Sequence, residues 1–167
     1  MKEYIYLVGQ ISADKNETYS WRERVREYFI LDNDITIIDP CSNKFNQEVK
    51  ETGAGDPRRL KVYKMNGTGL LVPKDKSYVN RATILFANMN TYDSDKPIIG
   101  SFYELAWSFD NRGISVIGIF AGDPTNDVIC NHPFVRASVD IWVKNEMEAC
   151  EMVEYYYLDM NHIGTGI

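Results

Sequence analysis

Three consecutive stretches decide the fold: Ala82-Thr83-Ile84-Leu85-Phe86-Ala87, then Gly100-Ser101-Phe102-Tyr103-Glu104-Leu105-Ala106-Trp107-Ser108-Phe109-Asp110-Asn111, then Ile114-Ser115-Val116-Ile117-Gly118-Ile119-Phe120. The outer two are short, almost continuous apolar runs rich in β-branched and aromatic residues. Such runs are strands buried on both faces. The middle stretch predicts a helix, stopped by Arg112-Gly113. Strand, helix, strand is one βαβ unit.

Working outward, the alternation continues. Tyr4 to Val8 predicts a first strand ending at Gly9, and Glu17 to Leu31 a helix in which Trp21, Val25, Tyr28 and Phe29 recur at helical spacing. Ile35 to Ile38 is a second strand stopped by Asp39-Pro40, Val139 to Val143 a fifth, and Asn145 to Tyr157 the last helix. Strands separated by helices imply a mainly parallel sheet with helices on both faces. The expected class is therefore α/β, a three-layer flavodoxin- or Rossmann-like domain of five strands spanning 1–167. Residues 41–73 carry Gly53, Gly55, Gly67, Gly69, Pro57 and Pro73 and fit no regular period. They are expected to form an irregular insertion serving as an active-site loop, with a hairpin at Asn66-Gly67. Ligands of such sheets bind beyond the carboxyl ends of the strands, which draws attention to Gly9-Gln10, Asp39, Asn88 to Asp95 and Ala121 to Asp127.

The 167 residues make about one domain, and 44% hydrophobic with 25% charged residues supplies one packed core. A net charge of −6 argues against binding a nucleic acid polymer, which calls for a basic face. A small anionic substrate remains possible, because one arginine and a helix N-terminus hold a phosphate locally. Cys41, Cys130 and Cys150 are odd in number and widely spaced, which suits a reducing compartment. Met1 to Val8 runs straight into a strand with no leader-like segment, and no apolar run reaches the ~18–20 residues of a membrane span. A cytoplasmic protein without membrane partners is expected.

Familiar chemical signatures are missing. Neither the phosphate-binding G-x-x-x-x-G-K-[ST] nor G-x-G-x-x-G occurs, and G-x-S-x-G is absent. His132 and His162, the only histidines, lack metal-ligand spacing, and His132 reads as supporting a turn before Pro133. Carboxylates at strand ends remain. Glu104 lies near the start of its helix, among aromatic and apolar neighbours, behind Gly100 and Ser101, where the backbone can approach a ligand closely. A carboxylate partly desolvated in this way can attack an anomeric carbon. It can equally complement the helix dipole on a solvated face, and the pattern leaves both readings open.

Three blocks of the chain resemble the nucleoside 2-deoxyribosyltransferases: Tyr4 to Gly9; Asp75 with Asn80 to Asn88; and Lys96-Pro97-Ile98-Ile99-Gly100-Ser101-Phe102-Tyr103-Glu104 to Trp107. That family shares its fold with the 2′-deoxynucleoside 5′-monophosphate N-glycosidases. The resemblance implies base exchange on 2′-deoxynucleosides through a covalent deoxyribosyl-glutamate, in nucleotide salvage and with no cofactor or metal. It also implies small-molecule partners, a nucleoside and a free base, and a homo-oligomer built on dimers with shared active sites. Glu104 matches the nucleophile, Tyr6 the hydroxyl that orients it, and Asp75 the carboxylate that contacts the base and helps protonate the leaving nitrogen. Gly9 matches the close-approach glycine after the first strand. Asn88, Gly100 and Ser101 fall on the substrate side. The family's aspartate ahead of the glycine falls on Asp95 or Asp93, both displaced upstream. Asn131 is the nearest candidate for the asparagine contributed by a neighbouring subunit.

Each of these residues also has a structural reading. Tyr6 fits the core of a strand, Asp75 a cap for a helix Lys76 to Arg81, Asn131 a turn, and Tyr103, Trp107 and Tyr155 to Tyr157 packing. Two other functions remain open. One is hydrolysis of a deoxynucleoside monophosphate, with Ser12, Arg22 and Ser101 about the phosphate. The other is a non-catalytic nucleotide-binding module.

Overall fold

The apolar run near the N-terminus forms strand β1 (Glu3–Gly9), whose alternate side chains enter two different cores. A computed structural model describes residues 2–52, 67–111 and 113–158. Around β1 lie β2 (Ile35–Ile38), β3 (Ile84–Asn88), β4 (Ser115–Ile119) and β5 (Ile141–Val143). They form one sheet in the order β2-β1-β3-β4-β5, with every neighbouring pair parallel. The expected sheet was mainly parallel; among the described residues it is wholly so. The chain leaves β1 for β2 on one side and returns to β3 on the other, which makes the carboxyl ends of β1 and β3 the switch point.

Helices α1 (Glu17–Tyr28) and α6 (Glu146–Tyr157) cover one face, packing Trp21, Val25, Ala149 and Val153 over Ile5, Leu7, Phe86 and Ile119. On the other face α3 (Leu71–Val79), α4 (Ile99–Asp110) and α5 (Pro133–Ser138) cover Tyr6, Val8, Leu85 and Ala87. The three-layer α/β architecture follows from this two-sided burial. Helix α6 opens on a side-chain cap: Asn145 Oδ1 accepts from Glu148 N at 3.0 Å, while Glu148 Oε2 reaches back to accept from Lys144 N at 2.8 Å.

The insertion expected to be irregular is partly helical. Lys44–Thr52 forms α2, started by Asn43, whose side-chain oxygen accepts from Asn46 N at 3.0 Å. Its apolar stripe is a single pair, Phe45 and Val49 at i and i+4, too short a signal in nine residues to stand out in a glycine- and proline-rich segment. Helix α3 begins at Leu71, behind a 3₁₀ turn at Gly67–Leu70, and takes Pro73 in its first turn, where no backbone donor is lost. Residues 53–66, including Asn66 of the expected hairpin, lie outside the described residues. Helix α5 was not expected; it starts at His132-Pro133, where the fixed φ of proline suits a first turn. Among the described residues no helix is long and apolar enough to cross a membrane.

Gly118 in β4 sits opposite Trp142 of β5, whose ring covers it. A Cβ there would lie 2.5 Å from Trp142 Cε3 and 2.8 Å from Val139 Cγ1. Replacing Gly118 with alanine is expected to destabilise the fold by about 1–3 kcal/mol through overpacking, measured as a lower midpoint in urea. An unchanged midpoint would contradict the Trp142 packing.

Candidate functional site

Period-two alternation turns Tyr6 out of β1 toward α4, and it is fully buried. On α4 the residues Ser101, Glu104, Leu105 and Ser108 form the buried stripe that faces the sheet. Glu104 therefore points inward, not into water, and only 8% of it is exposed. The Tyr6 hydroxyl donates to Glu104 Oε1 at 2.5 Å. Burial raises the Glu104 carboxyl to about 7, the Tyr6 hydrogen bond and the Arg22 and Lys74 charges pull against that rise, and Asp75 adds to it. The Tyr6 phenol is itself held far above its usual range, chiefly by burial and then by the Glu104 charge.

Asp75 comes from the middle of α3, not from a cap, because that helix begins four residues earlier. It lines the same cleft as Glu104. Its Oδ1 is shielded from solvent and lies 3.1 Å from Lys74 Nζ, without the angles of a hydrogen bond.

Two side chains shape the cleft from below and beside. Arg22, 1% exposed, sends its guanidinium under the carboxyl end of β1, donating to Leu7 O at 2.7 Å and Gly9 O at 2.9 Å, and from Nε to Thr18 O at 3.2 Å. Asp39, just after β2, lies 3.7 Å from it and also pairs with Arg26. Gln10, the residue after β1, clamps the loop that leads to α4. Its Oε1 accepts from Tyr92 N and Asp93 N at 2.8 and 2.9 Å, and its Nε2 donates to Asp93 O and Lys96 O, each at 2.7 Å. The space enclosed by Gly9, Gln10, Arg22, Asp75, Ser101 and Glu104 is about 190 Å³. Pockets for drug-sized ligands run ~300–1,000 Å³, so this cleft suits a small one.

The structure thus gathers Tyr6, Gly9, Asp75, Gly100, Ser101 and Glu104 at one place. A Cβ on Gly100 would meet nothing within 4 Å, leaving the helix start open. Gly9 has a packing reason as well: a Cβ there would press on Trp21 Cζ2 at 3.1 Å and Asn88 O at 3.2 Å. Three sequence candidates are not brought to the cleft. Asn88 is buried and bonds within its own loop, to Asn90 and Tyr92. Asp95 is exposed, its amide donating to Asp93 Oδ1 at 3.2 Å. Asn131 is exposed before α5, accepting from Arg136 at 3.4 Å. Asp93 is tied by Ser12 Oγ at 2.5 Å and serves the loop. The structural importance of Arg22 was missed, although it falls on the buried stripe Thr18, Trp21, Arg22, Val25. A charged residue on an apolar helix face was the available signal. Among the described residues no three histidine, cysteine, aspartate or glutamate side chains converge to hold a metal ion.

Two solved structures share the architecture. One, described as a 2-desoxiribosyltransferase from Leishmania mexicana, superposes with a TM-score of 0.57 at 11% identity, over 93% of this chain and 99% of that one. The other, described as a conserved protein from Enterococcus faecalis V583, gives a TM-score of 0.55 at 15% identity over the same shares. The likeness is one of fold. No protein-family model and no curated protein matches the sequence.

A carboxyl raised to about 7 makes a prediction about stability. Its folded-state pKa lies above its unfolded value, so the contribution is full below about 4.5 and is lost as pH rises through about 7. Glu104→Gln removes this loss, so between pH 4 and pH 8 it should gain on the parent protein by on the order of 3 kcal/mol. Urea unfolding at the two pH values measures it, and a constant difference would mean that Glu104 is not held protonated by burial.

Proposed function

We propose that this protein is a nucleoside 2-deoxyribosyltransferase, a single 1–167 domain exchanging the base of 2′-deoxynucleosides through a covalent deoxyribosyl-Glu104 intermediate. The observation that carries the reading is the Tyr6–Glu104 hydrogen bond in a cleft that also holds Asp75. The fold shared with the Leishmania mexicana 2-desoxiribosyltransferase agrees with it.

With Oε1 held by Tyr6, the ionised Glu104 attacks C1′ through Oε2. The C1′–N bond breaks and its electron pair goes to the base nitrogen, which takes a proton from Asp75 directly or through a water. An acceptor base then attacks C1′ from the vacated face, returns the ester electrons to Glu104 and gives its proton back through Asp75. Two displacements retain the configuration at C1′. A carboxylate with a raised pKa is a better nucleophile than an ordinary one and is still substantially ionised near neutral pH. The missing 2′-hydroxyl makes the oxocarbenium-like transition state easier to reach. Gly100 and Ser101 leave the start of α4 open to the sugar.

A nucleoside is favoured over its monophosphate by what the other polar groups are doing. Of the three phosphate candidates Arg22 and Ser101 line the cleft, but Arg22 directs Nε, Nη1 and Nη2 to Thr18 O, Leu7 O and Gly9 O, and Ser12 lies outside it, donating to Asp93. In this reading the enzyme is an oligomer built on dimers. Asn131, exposed and outside its own cleft, serves a neighbouring copy.

Base exchange between a deoxynucleoside and a free base is the direct assay, run beside release of base from a deoxynucleoside monophosphate. Exchange that falls at least about 10³-fold in Glu104→Ala is expected; undiminished exchange would sink the assignment, and monophosphate cleavage without exchange would make the protein a hydrolase. Since Glu104 must be ionised to attack, kcat/KM should rise with pH through about 7. Tyr6→Phe deletes the bond that lowers this pKa, so the rise should move to higher pH; an unmoved profile would assign Tyr6 to packing. Asp75→Asn should lower kcat most for the poorest leaving bases, and equal rates for all bases would remove Asp75 from proton transfer.

A further inference from the structure

We propose that Gln10 is a positioning residue for the reaction, fixing one wall of the cleft through the loop that it holds. This rests on the reading that the cleft acts on a nucleoside. The loop between β3 and α4 takes little support from the sheet: Met89 N donates to Ile119 O at 2.9 Å, and Lys96 N turns back to Asp93 O at 3.3 Å. Tyr92 N and Asp93 N have the Gln10 side chain as their partner instead. Backbone groups drawn out of water need such partners, and a loop that bends away from the sheet has to find them in side chains.

A glutamine side chain offers two acceptor lone pairs and two N–H donors. Gln10 uses all four on this loop, with Oε1 accepting from Tyr92 N and Asp93 N and Nε2 donating to Asp93 O and Lys96 O. It is 3% exposed, and although it lines the cleft it has no hydrogen bond left for a ligand. What Gln10 does for the reaction it therefore does through the loop. That loop runs on into Pro97 and Ile98, which line the same cleft, and then into Gly100, Ser101 and Glu104 of α4. On its other side Gln10 follows Gly9, whose carbonyl accepts from the buried Arg22 at 2.9 Å. One side chain thus ties the wall at Pro97 and Ile98 to the floor at the end of β1. Ser12 adds a bond to the same loop, but only to the Asp93 carboxylate, at 2.5 Å. A reacting group misplaced by about 1 Å can cost on the order of 10²-fold in rate.

Gln10→Met keeps the bulk of the side chain and deletes all four bonds. It is compared with the wild type by amide hydrogen exchange and by steady-state kinetics, in the absence of urea, with folding checked by circular dichroism. A role in stability alone would lower the urea midpoint and leave turnover per folded molecule unchanged. The variant is expected to lose protection at the Tyr92 and Asp93 amides and about 10–100-fold in kcat. KM should move less, because Gln10 has no bond to give the substrate. Protection lost with kcat unchanged would overturn the proposal, since the order of the loop would not matter. So would kcat lost with protection intact, or a loss confined to KM, since Gln10 would then act on the substrate itself. A Gln10→Met that loses its helical signal is replaced by Gln10→Asn, one methylene short of the loop, and read by the same outcomes. A wild type with neither base exchange nor base release fails the enzyme reading and this inference with it, before any Gln10 variant is made.

Discussion

A guanidinium buried beneath the end of a strand has to find its partners inside the protein, and Arg22 finds them in the backbone. It donates to Thr18 O, Leu7 O and Gly9 O, with Asp39 supplying the opposing charge 3.7 Å away. An unpaired charge at this depth would cost several kcal/mol. The position of α1, the last turn of β1 and the exit of β2 are therefore set together. Trp21, whose ring lies 4.6 Å from the guanidinium, packs into the space that Gly9 leaves. The cleft opens over this arrangement, at the switch point of the sheet.

The balance at Glu104 follows from that placement. Burial makes its charge costly, while the Tyr6 hydroxyl and the Arg22 and Lys74 charges favour ionisation. The result is a carboxyl whose titration lies near neutrality instead of well below it. A solvent-facing glutamate completing the helix dipole would not need a buried tyrosine as a partner. The alternation of β1 and the stripe of α4 bring Tyr6 and Glu104 together from 98 residues apart.

Strand–helix alternation was legible because its signals are local: apolar runs such as Ile84 to Ala87, and the stops at Asp39-Pro40 and Gly113. Helix α2 was not, since its start depends on the Asn43 cap and its apolar face is only the pair Phe45 and Val49. The same division runs through the site. Glu104, Tyr6 and Asp75 could be singled out because each falls in a block that resembles a family motif, and Ser101 because it opens the glycine-led helix. Asn88, Asp95 and Asn131 stand out only by position along the chain, and their side chains or amides bond to residues close in sequence: Asn90, Asp93 and Arg136. Gln10 is a polar residue after a strand, and its four loop contacts exist only once residues 92–96 have folded back beside it.

The central claim is that Glu104 forms a bond to the sugar. Intact-protein mass spectrometry of an acid-quenched mixture with a 2′-deoxynucleoside, in the absence of acceptor base, addresses it directly. One added deoxyribosyl unit, mapped to the peptide containing Glu104 and lost when a free base is supplied, is the expected result. Steady base exchange by a protein that never gains that mass would contradict it.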